Sequence, residues 1–369
     1  MAHVENRGPK RWRARYRDPA GRERSKTFPT KREANQFLMR TEHGKNLGGY
    51  VDPRDGKALF GDYATSWQEM QVFRATTAER FAGNLRRHIL PTFEYRPLVS
   101  VRPSDVQVWV RQLSLSLAPA TVEVVYRQLS MIFKSAVRDG FLAVSPCRDI
   151  RLPRIVRKKI VPLTGEQVEM LVDAVPEHVR ALVVCVAGSG LRQGEVFGLT
   201  ADRVVFLKCT VRVDQQLVLL QHGPPFLAPP KTAASHRTVP VPQLVVDAIT
   251  KHMVRFPPSD HGLLFTNRDR RPWRRNRFGE MWRSAVAKTS VPTGTHFHEL
   301  RHFYASLLLR HGESVKTVQA RLGHASALET LNTYGHLWPD ADDRTRDAVA
   351  EVLGNLGRPA RGLEASWSR

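Results

Sequence analysis

The sequence predicts a multidomain chain, mainly α-helical with small β-sheets: an N-terminal β-ribbon backed by a helix, a helical bundle, and a larger α+β domain. Three observations predict it. A chain of 369 residues is too long for one ordinary core. RWRARYRD, near the N-terminus, alternates with the period of a strand. From Leu59 onward, long stretches carry apolar residues at three- and four-residue spacing, the period of a helix. The expected boundaries are 1–57 for the ribbon domain, 58–150 for the bundle, 151–161 for a basic linker, 162–354 for the α+β domain and 355–369 for a mobile tail.

In the first segment Arg11, Arg13, Arg15 and Arg17 alternate with Trp12, Ala14 and Tyr16, so the arginines share one strand face and the apolar residues the other. DPAGR supplies turn chemistry and SKTF a partner strand. Thr30 is the expected N-cap of a helix through KREANQFLMRTEHGK that ends near Gly48 and Gly49. The arginine face suits entry into a DNA major groove.

TSWQEM, TTAERFAGNLRRHILPTF, RPSDVQVWVRQL and PATVEVVYRQLSMIFKSAVRDG read as the bundle helices. Ser104 and Asp105 offer a start, Pro119 a first-turn position and Gly140 a C-cap. Next, RLPRIVRKKIVPL mixes prolines with Arg151, Arg154, Arg157, Lys158 and Lys159, as an inter-domain linker that tracks along phosphates would. Thr164 with Gln167 forms a capping-box pattern. Strand-like runs follow in RVVFLKCTVRVDQQLVLL and SHRTVPVP, and helices dominate beyond about Gln243.

Lysine and arginine outnumber aspartate and glutamate 57 to 35, a net charge of +22. This favours a polyanionic partner, because phosphate neutralisation and counterion release dominate nucleic-acid affinity. The basic residues are spread through folded-looking segments, which argues against a juxtamembrane cluster. Cys147, Cys185 and Cys209 are scattered and lack a CxxC pair, so neither a disulfide framework nor a cysteine zinc site is indicated. The N-terminus has no apolar signal region and no apolar run is long enough to span a bilayer. A soluble, cytoplasmic protein with no membrane partner is expected.

The chemistry-bearing residues fall in the C-terminal half. Gly188, Ser189 and Gly190 are read as breaking an apolar helix, placing Arg192 of GLRQGE at the next helix start, where a guanidinium can bind phosphate. Glu195 shares its face and can orient it. His298 and Arg301 in HELRH likewise share a helical face. The same five residues satisfy HExxH, a zinc-peptidase pattern. Against zinc stand the cation Arg301 between the two histidines and the lack of a third ligand at a suitable spacing. His324 sits at a turn after Leu322 and Gly323 and can donate to a phosphate oxygen in either protonation state. Lys231, in PPKTAASHRTVPVP, is placed on a hairpin with its turn near Ala233 to His236, from which it can reach a cleft and give up a proton. Tyr334 ends the helical stretch ALETLNTY. Each of these alone is commonly a packing or surface residue.

Taken together, the order of Arg192, Lys231, His298 with Arg301, His324 and Tyr334 closely resembles the tyrosine recombinase family, specifically its phage-type integrases. The resemblance implies an arm-site DNA-binding domain, a core-site-binding domain and a catalytic domain, and it makes those residues the catalytic set. It implies that Tyr334 attacks a DNA phosphodiester, that Lys231 protonates the leaving 5′ oxygen, and that His298 assists proton transfer at the tyrosine or orients the phosphate. No cofactor is implied. The expected partners are double-stranded DNA carrying attachment sites, a homotetramer on synapsed DNA, and an accessory DNA-bending or directionality protein. Glu299 stands where the family often has aspartate, outside the catalytic set. A type IB topoisomerase and a non-catalytic DNA-binding regulator are the competing classes; the N-terminal ribbon speaks against the first and the convergent residue set against the second.

Overall fold

The strand alternation near the N-terminus is realised as an antiparallel sheet of order β1-β2-β3, formed by β1 (His3–Asn6), β2 (Trp12–Arg17) and β3 (Glu23–Phe28). This is a computed structural model of the chain, and it describes residues 2–17, 21–46, 57–156, 159–259, 261–337 and 342–353. The ribbon expected from sequence gains a strand, since β1 pairs along the other edge of β2 with Glu5 opposite Arg13. HVEN has a single strong strand former, so its conformation comes from that pairing rather than from propensity. Thr30 Oγ1 accepts from the Glu33 amide at 3.2 Å and starts α1 (Lys31–Asn46). Ala14 and Tyr16 of β2 bury against Ala34 and Leu38 of α1. Arg13 and Arg15 project from the other face. Residues 18–20 of the expected DPAGR turn, and the expected helix end at Gly48 and Gly49, lie outside the described residues.

The next segment forms α2 (Phe60–Glu69), α3 (Ala75–Asn84), a π-helical turn (Leu85–Ile89), α4 (Leu90–Phe93), α5 (Pro103–Ser114) and α6 (Pro119–Arg138). Pro91 explains the π turn: its ring has no N–H to give and crowds the carbonyl four residues back, and the wider turn absorbs both. Phe60, Trp67, Phe93, Trp109 and Phe133 fill a core separate from that of the N-terminal sheet. Two indole edges are satisfied, with Trp67 Nε1 donating to Ser135 Oγ at 2.7 Å and Trp109 Nε1 to the His88 carbonyl at 2.9 Å.

The chain divides into two units between residues 157 and 158. In the second, Thr164 and Gln167 exchange capping bonds of 2.9 and 3.2 Å at the start of α7 (Gly165–Ala174). Then come α8 (Glu177–Ser189) and α9 (Gln193–Phe197). Strands β4 (Val204–Val205), β5 (Thr210–Val213) and β8 (Arg237–Pro240) make one antiparallel sheet, while β6 (Gln216–Val218) and β7 (Phe226–Ala228) pair as a separate hairpin. The helices α10 (Gln243–Arg255), α11 (Arg275–Val286), α12 (Glu299–Arg310), α13 (Val315–Leu322), α14 (Ala327–Tyr334) and α15 (Asp342–Leu353) follow. One core joins Leu182, Val186, Phe197, Val239, Phe278, Leu300 and Leu322.

One local expectation is narrowed and another corrected. The break expected over Gly188, Ser189 and Gly190 falls at its last residue, since α8 runs through Ser189 and ends at Gly190, where φ is +65°; the preceding turn is largely buried, and packing outweighs the weak propensity of Gly188. Lys231 is not on a hairpin with a turn at Ala233 to His236. It lies in the loop between β7 and β8, and residues Ala233–Ser235 form a 3₁₀ turn leading into β8. Arg157, Lys158 and the tail from residue 355 lie outside the described residues. Among the described residues no helix is long and apolar enough to cross a membrane.

Candidate active site

Arg192 stands immediately before α9, the N-cap position, where the left-handed turn at Gly190 redirects the chain. A side chain on Gly190 would meet Tyr304 Cδ1 at 2.4 Å, so glycine is required there for space as well as for φ. The Arg192 amide donates to Glu195 Oε2 at 2.8 Å, its Nη1 to Glu195 Oε1 at 3.0 Å, and its Nη2 to the Gly323 carbonyl at 2.9 Å. Glu195 also receives Arg237 Nη1 and Nη2 at 3.1 and 2.8 Å. Burial by itself would raise the Glu195 pKa, but the hydrogen bonds and charges of Arg237 and Arg192 outweigh it and hold the carboxylate below its ordinary range. Arg237 Nε continues to the Arg321 carbonyl at 2.8 Å.

Arg301, on the first turn of α12, is 2% exposed. Its Nη1 donates to the Gly190 carbonyl at 2.7 Å and its Nη2 to the Leu322 carbonyl at 2.6 Å. Thus Leu322 and Gly323, consecutive residues at the end of α13, each give a carbonyl to a different guanidinium. The helix end carries partial negative charge and suits that task. Burial first, then the Arg192 charge, lowers the Arg301 pKa to about 9, which leaves it charged at neutral pH.

His324 is buried just past Gly323, with Nδ1 2.8 Å from Thr330 Oγ1. Its ring stacks on Tyr334, with centroids 6.3 Å apart and planes within 9°. Tyr334 is 1% exposed, and its hydroxyl lies 2.8 Å from His302 Nδ1. Burial raises the Tyr334 pKa to about 12, against the opposing field of Arg301 and Arg192. The His302 and His298 rings meet edge-on at 4.8 Å. His298 reaches solvent, yet the protein packed around it, followed by the Arg301 and Arg192 charges, lowers its pKa to about 4. His302 is likewise lowered to about 4 by burial and then His298, and His324 to about 3 by burial and then Arg301.

Because these three histidines are held below the ordinary 6.5, the folded state binds fewer protons than the unfolded chain under mildly acidic conditions. Their stabilisation is complete above pH 6.5 and drains away as pH falls through about 4 and then 3. Thermal unfolding between pH 7 and 4 should show Tm declining below 6.5; a flat Tm over that window would exclude the burial of the neutral His302 and His324 rings.

A cleft of about 500 Å³ is lined by Arg192, Lys231, Arg275, His298, Gly323 and Glu329, among others. Arg192, His298 and the exposed Lys231 therefore open onto one cavity, while Arg301, His324 and Tyr334 are buried and do not line it. Electrostatic coupling of Arg301 to Arg192, and of Tyr334 to both, ties the two layers together. Sequence reading missed Arg237 and gave His302 only a place in the zinc pattern. Arg237 had one signal: period two puts it on the same strand face as the buried Val239, where an inward arginine requires an acid. Among the described residues, no group of three or more His, Cys, Asp or Glu side chains is placed to hold a metal ion.

Among the arginines read as DNA-contacting, Arg15 bonds Glu5 at 3.1 Å and Glu23 at 3.0 Å, and Arg13 lies 3.8 Å from Glu5. Arg11, Arg17 and Lys159 are exposed.

Residues 162–340 match the phage integrase family. Over 360 residues the chain is 28% identical to the prophage phiRv2 integrase of Mycobacterium tuberculosis, covering 94% of this chain and 93% of that protein. It is 27% identical over 375 residues to a tyrosine recombinase XerC-like protein of Caldanaerobacter subterraneus subsp. tengcongensis, covering 92% and 94%. The Tn1549 transposon integrase, solved in complex with a circular intermediate DNA, shares the fold with a TM-score of 0.66 at 23% identity, covering 79% of this chain and 98% of that one. The family match falls on the segment in which the arginines, histidines and tyrosine converge, and on that ground the chain is a tyrosine site-specific recombinase.

Proposed function

We propose that this protein integrates or excises phage or mobile-element DNA by cutting and rejoining strands through a 3′-phosphotyrosyl intermediate. The observation that carries the reading is the grip of two adjacent carbonyls, Leu322 and Gly323, on Arg301 and Arg192, with His324 next in the chain and Tyr334 stacked upon it. A diester under attack gains negative charge on its non-bridging oxygens. Arg192, Arg301 and His324 supply donors for that charge, and Tyr334 supplies the nucleophile. Lys231, at the cleft, protonates the departing 5′ oxygen, and His298 orients the phosphate or assists proton transfer. The covalent link conserves the diester energy, so a 5′ hydroxyl from another strand reseals it without ATP. The Tyr334 hydroxyl is closed off from solvent in this state, so DNA binding must open a path between it and the cleft.

In this reading residues 1–57 engage arm-type sites through Arg11, Arg13, Arg15 and Arg17, residues 58–150 engage core sites, and the linker with Arg157, Lys158 and Lys159 follows the phosphates between them. The assembly on synapsed duplexes is a homotetramer, and the reaction takes place in the cytoplasm on nucleoid DNA. The test is covalent capture from a pool of nicked duplexes with randomised cores. The expected product is a 3′-linked peptide containing Tyr334; capture through a different residue, or none at all, would refute the proposal.

A further inference from the structure

We propose that His302 is the proton acceptor for Tyr334: the imidazole takes the phenolic proton as the hydroxyl oxygen bonds to phosphorus, and returns it on resealing. The inference rests on the phosphotyrosyl reading above and adds a residue and a role to it. Its basis is a direct contact, since His302 Nδ1 lies 2.8 Å from the Tyr334 hydroxyl, within the reach required of a base on its nucleophile. His298, the histidine to which the family resemblance gives a proton-transfer or phosphate-orienting role, instead lines the cleft beside Arg192 and Lys231. The two histidines are thereby divided between the buried nucleophile and the open phosphate site. One helical turn separates His298, at the N-cap of α12, from His302, and the edge-on packing of their rings limits rotation of His302 away from the tyrosine.

The step balances. With His302 neutral and its proton on Nε2, Nδ1 carries the free lone pair that the Tyr334 hydroxyl donates to. The O–H bond breaks as the oxygen–phosphorus bond forms, and the proton passes to Nδ1. The electron pair of the P–O5′ bond departs with the 5′ oxygen, which takes a proton from Lys231. His302 is then an imidazolium, Lys231 a neutral amine, and the reverse transfers accompany rejoining. The low basicity of His302 in the DNA-free state keeps it in the accepting form. Arrival of a phosphodiester anion offsets the cationic field of Arg301, one of the charges that depress it, and so strengthens the base when it is needed.

The experiment compares wild type with His302→Gln, His302→Ala and Lys231→Ala on a duplex captured by the wild-type protein from the randomised nicked pool. Each is run on the ordinary substrate and on one with sulfur at the 5′ bridging position, whose leaving group needs no proton. Both His302 variants should bind the duplex as wild type does and cleave about 10²- to 10⁴-fold more slowly at pH 7. Their defect should persist on the sulfur substrate and shrink as pH rises, whereas the Lys231→Ala defect should vanish on sulfur. His302→Gln keeps a hydrogen-bonding side chain at the position, so it remains decisive if the alanine variant fails to fold. Cleavage by His302→Gln within about threefold of wild type, or faster, would overturn the proposal, as would a defect erased by sulfur. Failure of wild type to capture any duplex would instead bring down the underlying reading, and this inference with it.

Discussion

Tyr334→Phe is expected to bind DNA like the unmodified protein and to form no covalent adduct. The substitution removes one oxygen and leaves the ring, so the stacking on His324 and the burial against the catalytic core persist. What it costs the fold is the 2.8 Å contact with His302, a loss on the order of 1 kcal/mol for a neutral hydrogen bond. On the proposed mechanism its chemical cost is total, because no covalent intermediate forms without the nucleophile. Denaturing electrophoresis of end-labelled nicked duplex reads the adduct and a mobility shift reads binding. An adduct formed by Tyr334→Phe would move the nucleophile to another residue.

Arg301→Lys should reduce cleavage by roughly 10²- to 10³-fold, the range found for removal of one preorganised donor from an oxyanion site. Lysine keeps the charge but loses the planar fork. Arg301 spends Nη1 on Gly190 and Nη2 on Leu322 and still has N–H groups to offer a phosphate. An ammonium cannot satisfy both carbonyls and the diester from the same buried position. A carbonyl left unpaired there adds about 1–3 kcal/mol of destabilisation. Arg192→Lys, at a side chain 34% exposed, should show a comparable rate loss with a smaller stability loss. Single-turnover cleavage and thermal unfolding separate the two effects. An Arg301→Lys enzyme within about tenfold of wild type would remove that guanidinium from transition-state stabilisation.

Much of this site was legible in the linear chain because its chemistry sits in short motifs at helix ends. Arg192 and Glu195 are bonded as their three-residue spacing suggests, and the capping pattern at Thr164 and Gln167 is realised atom for atom. What escaped depended on long-range pairing. The partner of Arg237 is 42 residues away, and no local pattern points to it. The placement of Lys231 failed for a local reason that was available: Pro229 and Pro230 have no N–H for a ladder, and β7 stops at Ala228, just before them. β1 escaped because a weak four-residue segment becomes a strand only when β2 offers it an edge. The tyrosine's burial was also invisible, since motif spacing carries no information about which side of a helix is covered.

The two neighbouring carbonyls at the end of α13 bind Arg301 and Arg192 to a common support, and His324 is the very next residue. A small slide or twist of that peptide segment must therefore displace Arg301, Arg192 and His324 in the same stroke. Such a linkage makes the machinery binary: it is assembled or dismantled as a whole, and an intermediate with one donor in register and the others astray has no mechanical basis. For a site-specific recombinase, that is a safeguard against breaking strands it is not positioned to mend.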